Sequence, residues 1–488
     1  MRLSTRSLTT LPASVTRPAY DRDKTAIGIV HLGVGAFHRA HQAAVIEECL
    51  ARGETGWAIA GASLRSADTR DALQPQDNLY TLSVRSSQGE ALRVIGAIRE
   101  SHVAPENPGA LLARMAAPTT KIVSLTVTEK GYCHDPATGQ LNEAHPDIIH
   151  DLANPDTPRS AIGYLAKALR MRRANHTSAF TILCCDNLPA NGRTVKRVID
   201  RFAHLLDKDF GHWVAGEVAC PASMVDRIVP ATTDEDRARI SALLGVEDRW
   251  PVVTEPFLQW VVEDVFPSGR PDLALSGVEM VKDVTPFEHM KLRLLNGSHS
   301  TIAYLGYLAG YETVADTIAD PAFARLIRAM MDEEITPTLD MPAGTDLDGY
   351  KSALIERFRN PALKHRTWQI AMDGSQKLPQ RLLGTIRDRL KAGAPIDRLA
   401  LGVSGWMRYV AGTDEKGAPI DVRDPLATKL ASVAAEAGPS AARLAPALLA
   451  MPEIFGSDLP ADPRFTAPVT KALESLFTKG AAKTVSEA

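Results

Sequence analysis

The sequence predicts an α/β protein in two parts, a parallel-sheet domain over residues 1–284 and a mostly α-helical domain over 285–488. Three observations predict it. At 488 residues the chain exceeds what one hydrophobic core ordinarily serves. Through the first part, short β-rich runs alternate with longer stretches of helical periodicity, the pattern of βαβ units. From Thr285 onward, long amphipathic stretches take over and strand-like runs become few.

Composition narrows the function classes. Apolar residues at 45% and charged residues at 23% are globular values, which removes disordered, collagen-like and coiled-coil architectures. Lys and Arg total 55 against 58 Asp and Glu, a net charge of −3 without a polybasic run. General attraction to nucleic acid or acidic lipid is thereby excluded, whereas a local pocket for a small anion is not. Five cysteines are too few for a disulfide framework, and no CxxC or HExxH spacing offers zinc ligands, so the chain reads as reduced, cytoplasmic and metal-free. No run reaches the roughly 18 apolar residues of a membrane span. Residues 1–17 are rich in Arg, Ser and Thr and free of acids, as transit peptides are, but lack the apolar centre of a signal peptide; a short strand-and-loop lead-in is expected there.

The strand-like runs are 27–32, 57–62, 80–84, 94–98, 121–127 and 180–185. The helical patterns of the second part cover 287–309, 350–357, 380–391, 425–436 and 469–477. An Ala-rich stretch over 431–450 reads as helix interrupted at Gly438-Pro439, and the residues past Lys479 as a frayed tail. There is no internal repeat.

The first strand ends in Gly33-Val34-Gly35-Ala36-Phe37-His38, after which 43–50 has helical periodicity. This is the strand, glycine turn and helix of a Rossmann-like dinucleotide-binding domain. Gly33 permits the tight turn; Gly35 lets the Ala36 and Phe37 backbone and the helix N-terminus approach a pyrophosphate. The usual third glycine is replaced by His38. No acid closes the next strand to hold a ribose 2′-hydroxyl, but Asp68 follows a few residues later, which favours NAD; Arg65 is the alternative, meeting the 2′-phosphate of NADP.

Thr285-Pro286-Phe287-Glu288 has the form of a helix start, with Thr285 as N-cap, Pro286 at the first turn and Glu288 closing a capping box. At about 100° per residue, Asn296 lies roughly 140° and His299 roughly 80° around the axis from Lys291, so one broad face carries an amine, an amide and an imidazole. Nearness to the helix N-terminus and burial both lower the pKa of Lys291 toward that of a general base. The alternative is an ordinary amphipathic helix that stops or kinks at Asn296-Gly297. Glu129 and Asp186-Asn187 close two strand-like runs, and carboxyl ends of strands border the ligand crevice of open α/β sheets. Asn187 there either donates to a reacting oxygen or forms a simple Asx turn.

With these segments in hand, the chain resembles the long-chain mannitol dehydrogenase family, polyol and hexuronate oxidoreductases that work without metal. The segments are the glycine loop through His41, Thr126-Val127-Thr128-Glu129-Lys130-Gly131-Tyr132, Cys185-Asp186-Asn187, Met224-Val225-Asp226-Arg227 and Lys291 through His299, and the resemblance covers nearly the whole chain. It implies a catalytic Lys291, Asn187 and Asn296 on either side of the reacting oxygen, His299 on the substrate hydroxyl, Asp226 in the substrate site, a proton route through Glu129 and Glu288, and Asp68 on the cofactor ribose.

Within the family, residues 364–379 look more like the fructuronate reductases (D-mannonate oxidoreductases) than the mannitol enzymes, which carry basic residues where Trp368 and Gln369 stand. A hexuronate brings a carboxylate that needs a partner once desolvated, and Lys377, Arg366 and His365 are the candidates. The expected activity is metal-independent, NAD-dependent interconversion of a C2 secondary alcohol and ketone, on D-mannonate and D-fructuronate, with mannitol or another polyol as the alternative. The expected partner is a small sugar acid or polyol and the expected state a monomer or weak oligomer. Two rivals stand against this reading: a short-chain dehydrogenase, whose YxxxK spacing at Tyr20 and Lys24 wrongly precedes the glycine loop, and an inactive nucleotide-binding sensor.

Overall fold

Ile27–Leu32 (β1) is buried at all six positions, which explains its continuous apolar run: a parallel strand covered on both faces has no solvent side to alternate toward. In the computed structural model, which describes residues 1–136 and 138–488, β1 is the centre of a sheet with Ala58–Ser63 (β2), Ile98–Val103 (β5), Ile122–Leu125 (β6) and Thr181–Cys184 (β7) in the order β5-β2-β1-β6-β7. Every pair in it is parallel. The chain leaves β1 to one side and returns to the other at β6, so the order reverses between β1 and β6, where an open α/β sheet forms its ligand crevice. The glycine turn, Glu129 and Asn187 therefore share one edge of the sheet.

Two small sheets complete this unit: Gly89–Ile95 (β4), Tyr80–Ser86 (β3) and Val252–Thr254 (β9) in one, and Glu279–Val281 (β11), Gln259–Glu263 (β10) and Ser223–Asp226 (β8) in the other. The single run expected at 94–98 is instead the junction of β4 and β5 in two different sheets. Gly96 turns the chain there, where a Cβ would lie 2.9 Å from Arg22 Nε. Strands β8 to β11 lie outside the expected runs, being only three to five residues long. The lead-in is not a strand: Thr5–Thr10 forms a 3₁₀ turn capped reciprocally by Ser4 and Ser7, and Leu3, Leu11 and Val15 are buried with Leu79, Leu244 and Val253.

Contacts divide the chain into two units, Met1–Thr285 and Pro286–Ala488. The second is helical throughout. Its Ala-rich stretch breaks as expected, into helices Ala427–Ala437 and Ala441–Leu449 around Gly438 at φ 65°. The tail is not frayed, because Ala481–Ser486 is a helix with Ala481 and Val485 buried. No helix among the described residues is long and apolar enough to cross a membrane.

One side chain ties β7 to β8. Asn191 is buried; its amide donates to the carbonyls of Asp186 at 3.1 Å and Ser223 at 2.7 Å, while its oxygen accepts the Gly192 and Ser223 N–H groups at 2.7 and 3.0 Å. Asn191→Ala leaves buried backbone groups unsatisfied and is expected to cost about 3 kcal/mol, measured as a lowered urea midpoint.

Candidate active site

Gly33 and Gly35 differ in what they do. Gly33 has φ +96°, and a Cβ on it would lie 2.1 Å from the carbonyl oxygen of Thr126 after β6, so the close approach of the two strand ends excludes any side chain. Gly35 has an ordinary φ of −85° and a Cβ there would meet nothing nearer than 3.9 Å; its missing side chain leaves open the start of helix Ala36–Ala40 (α1), the surface a pyrophosphate needs. Phe37 stacks on His41 at 5.0 Å. In the place of the third glycine, His38 stacks on His31 of β1 with ring centroids 3.4 Å apart. The helix pays for this side chain in continuity: α1 ends after five residues, the chain breaks at His41, and Gln42–Ala51 (α2) restarts it.

His31 fastens the switch point. The hydroxyl of Thr126 donates to Gly33 O at 2.8 Å and so receives the Nε2–H of His31 at 2.8 Å, leaving Nδ1 to accept from Ser124 Oγ at 2.8 Å. One strand along, Asp186 accepts from Val127 N at 2.8 Å, Thr128 N at 3.3 Å and Tyr132 Oη at 2.6 Å. Burial pushes this carboxyl above its usual range, against those three bonds. They hold Thr128 at φ 65°, a conformation a β-branched residue adopts only when its surroundings impose it. Glu129 and Asn187 come directly after, both exposed, at the ends of the neighbouring strands β6 and β7. Asp226 ends β8 and is buried.

Asp68 opens helix Asp68–Leu73 (α3), five positions after β2 ends, and is exposed on a cleft of about 720 Å³ shared with Asp71, Asp234, Arg237 and Trp250. Arg65 is exposed on the same turn.

The expected helix begins at Thr285 itself, the last residue before the second unit, where Asp283 supplies a side-chain acceptor for the Thr285 N–H at 3.0 Å. It then departs from α geometry: Thr285–Met290 is α-helical, Lys291–Gly297 is a π-helical segment, and Ser298–Leu308 is α-helical again. The 100° step therefore does not apply between Lys291 and Asn296, because a π turn takes up an additional residue. Nor does Asn296-Gly297 stop the helix; Gly297 keeps helical angles of φ −63° and ψ −49°. A Cβ on it would lie 2.8 Å from Arg381 O, so the glycine serves close packing against Pro379–Leu383, a second π-helical segment.

Lys291 is only 8% exposed, as is His299, and Asn296 is half-buried. Glu288 is half-buried one turn before the lysine. The His299 ring lies 5.0 Å from that of Phe358 and edge-on to His365 at 4.9 Å, and its Nε2 is buried without a hydrogen-bond partner among the described residues. Burial first, then His365, Arg381, Arg357 and Lys377, hold its pKa well below 6.5, so the imidazole is neutral.

The carboxylate partners expected from sequence make contacts within the chain. Arg366 forms an ion pair with Glu312 on the surface, and the Lys377 amine donates to the carbonyls of Met372 at 2.6 Å and Ile370 at 3.3 Å. His365 is pushed down to about 4 by burial. Sequence reasoning did not single out the positive charges of Arg357 and Arg381 near His299, the hydrogen bonds of Asn191, or the His31–His38 stack. The GlnLysLeuProGlnArg run at 376–381 carried a signal for Arg381, four positions after Lys377 on a helical pattern. Away from these groups, Cys133, His145 and Asp147 bring ligand atoms within 4.8 Å of one another; the thiol is pushed up to about 12 and His145 Nδ1 accepts the Asp147 N–H at 3.2 Å, a loop holding itself together.

Two outcomes are expected. Gly33→Ala lowers stability by about 2 kcal/mol or more through the forbidden φ and the overlap, whereas Gly35→Ala unfolds like the parent but binds NADH more weakly, as read by fluorescence titration. The second concerns acid. His31, at about 3, His38, His299 and His365, at about 4, all sit below the unfolded value of 6.5. Below 6.5 the unfolded chain therefore binds more protons than the fold, and stability, complete above that pH, falls by up to about 1.4 kcal/mol per pH unit for each histidine. His365→Gln is expected to remove one such share, measured as a shallower fall of the urea midpoint between about pH 6.5 and about pH 5.

Residues 27–275 match the mannitol dehydrogenase Rossmann domain and 283–477 the mannitol dehydrogenase C-terminal domain. The chain is 48% identical to D-mannonate oxidoreductase of Escherichia coli over 96% of its own length and 97% of that protein's. Among solved structures it is similar to the mannitol 2-dehydrogenase of Pseudomonas fluorescens in ternary complex with NAD and D-mannitol, at 40% identity, TM-score 0.88 and coverage of 100% and 99% of the two chains. It is also similar to a D-sorbitol dehydrogenase in substrate-free form, at 33% identity, TM-score 0.91 and coverage of 99% and 100%. With both domain matches in order and identities of this size along the full length, the chain belongs to the mannitol dehydrogenase family.

Proposed function

We propose that this protein is a metal-independent, NAD-dependent oxidoreductase that interconverts a secondary alcohol and a ketone at C2 of a ketose-type substrate, with D-mannonate and D-fructuronate as its pair. One observation carries the chemistry: a buried lysine opens a π turn that also carries a half-buried amide and leads to a buried, neutral imidazole with an unpartnered Nε2. Such a site binds one hydroxyl and removes its proton. The substrate class rests on the likeness to the E. coli D-mannonate oxidoreductase; mannitol and fructose are the second reading, on the likeness to the Pseudomonas enzyme.

The glycine turn fits NAD, because Gly35 leaves the backbone N–H groups at the start of α1 unobstructed and Asp68 presents a carboxylate that would repel a 2′-phosphate. Bound there, NAD supplies the acceptor for the hydride that the alcohol carbon loses. Lys291, uncharged, takes the proton from the alcohol oxygen. Asn296 donates to that oxygen as negative charge gathers on it, and His299 fixes the hydroxyl through Nε2. Asn187 and Glu129 are assigned to the same chemistry by residue type, an amide donor and a proton acceptor at the tips of neighbouring strands; Glu288, beside Lys291 in sequence, is assigned to proton exit. Asp226 is assigned to substrate hydroxyls. The five cysteines, all free, suit a reducing compartment.

Absorbance of NADH and NADPH with D-fructuronate, D-tagaturonate and D-fructose tests the reading, and oxidation of neither coenzyme with any of them defeats it. Lys291→Ala is expected to lower kcat by about 10²- to 10⁴-fold with NADH binding retained, and EDTA to leave the wild-type rate unchanged. Loss of the rate on chelation would place a metal in the mechanism.

A further inference from the structure

Three polar side chains of the first unit line one small cavity and carry buried atoms without a hydrogen-bond partner among the described residues: both ring nitrogens of His38, Gln42 Oε1 and Trp260 Nε1. The cavity measures about 20 Å³ and lies between the central sheet and the short helices α1 and α2. Ile29 of β1 and Ile122 of β6 belong to its apolar wall, and Ser124 is the fourth polar residue on it. None of the four polar residues is more than 4% exposed.

The neighbouring hydrogen bonds fix what these groups still offer. His41 donates Nε2–H to Gln259 O at 2.9 Å, so its Nδ1 accepts from Gln42 Nε2 at 3.1 Å, and Gln42 Oε1 keeps its lone pairs. Ser124 gives its proton to His31 Nδ1 at 2.8 Å and retains acceptor capacity. The indole N–H of Trp260 can only donate. Gln42 lies close enough to His38 to bear on the charge of its ring, yet the two do not meet in hydrogen-bond geometry.

A buried polar atom left bare costs the fold its desolvation. A small molecule with two donors and two acceptor sites serves these atoms together: it receives the indole N–H and donates to Gln42 Oε1 and to the acceptor nitrogen of the neutral imidazole. Volume decides which molecule. A water needs about 10–15 Å³ of such space and about two to four polar partners; the cavity supplies both and has no room for an organic ligand.

We propose that this cavity is a binding site for one buried water, held by Trp260 Nε1, Gln42 Oε1 and a ring nitrogen of His38, and that the water joins α1 and α2 to β10. The third glycine of the usual nucleotide loop serves close packing of helix on sheet. With His38 in its place, a ring and a water fill that layer. The site is independent of the proposed reaction and its substrate.

A crystal structure of the full chain, at a resolution that shows ordered solvent, tests the site directly. One solvent peak is expected within hydrogen-bond distance of Trp260 Nε1 and of Gln42 Oε1 or His38. A cavity without density overturns the proposal, and so does a direct hydrogen bond from Trp260 Nε1 to either of the other two side chains. In solution, Trp260→benzothienylalanine keeps the shape of the ring and removes the N–H. It is expected to lower the urea midpoint, because the water loses its donor. A midpoint that is unchanged or raised, as removal of a bare buried N–H would give, overturns the proposal.

Discussion

A backbone contact that only glycine permits sets the geometry of the helical unit. At Gly297 two π-helical segments meet, Lys291–Gly297 and Pro379–Leu383, and the carbonyl of Arg381 occupies the space a side chain would fill. A π turn is less favourable than an α turn and persists where packing imposes it. Here each segment holds the other. Lys291 opens the first and Arg381 lies in the second, so the contact bears on the position of the proposed base. Were either segment to relax to α geometry, every later side chain would rotate about the helix axis, and His299 would leave its place between Phe358 and His365.

The nucleotide-binding unit uses the same device with strands. Gly33 lets the ends of β1 and β6 touch, and polar side chains fix the backbone around that contact: His31 through Thr126 and Ser124, Asp186 through Val127, Thr128 and Tyr132, Asn191 through β8. These groups are buried or half-buried and hydrogen-bonded, so the exposed residues they carry, Glu129 and Asn187, stand on a rigid base. Loops that carry chemistry gain precision when a second layer of hydrogen bonds fixes their backbone. The strained φ of Thr128 is a mark of that constraint.

Much of this was legible in the sequence, for identifiable reasons. The parallel strands showed because burial on both faces makes them continuous apolar runs, and the main helices because their periodicity is long. Lys291, Asn296 and His299 showed as an amine, an amide and an imidazole along one helical pattern. What did not show was what depends on three-dimensional approach. A run such as 94–98 reads as one strand because both halves are buried, although they belong to different sheets. Gly297 reads as a helix stop because propensity knows nothing of Arg381. The π segments have no compositional signature, since the extra residue per turn is imposed by a partner distant in sequence. Arg381 has no signal in sequence that foretells its hydrogen bond to Ser300.

The cations around His299 bear on the chemistry. An imidazolium there would have no acceptor lone pair for a hydroxyl proton and would repel a protonated Lys291; a neutral ring can both donate and accept. Burial and the neighbouring positive charges hold the pKa of the ring well below 6.5. Under the proposed mechanism, Asn296 and His299 serve the developing alkoxide, on a helix that the glycine contact at Gly297 holds in register.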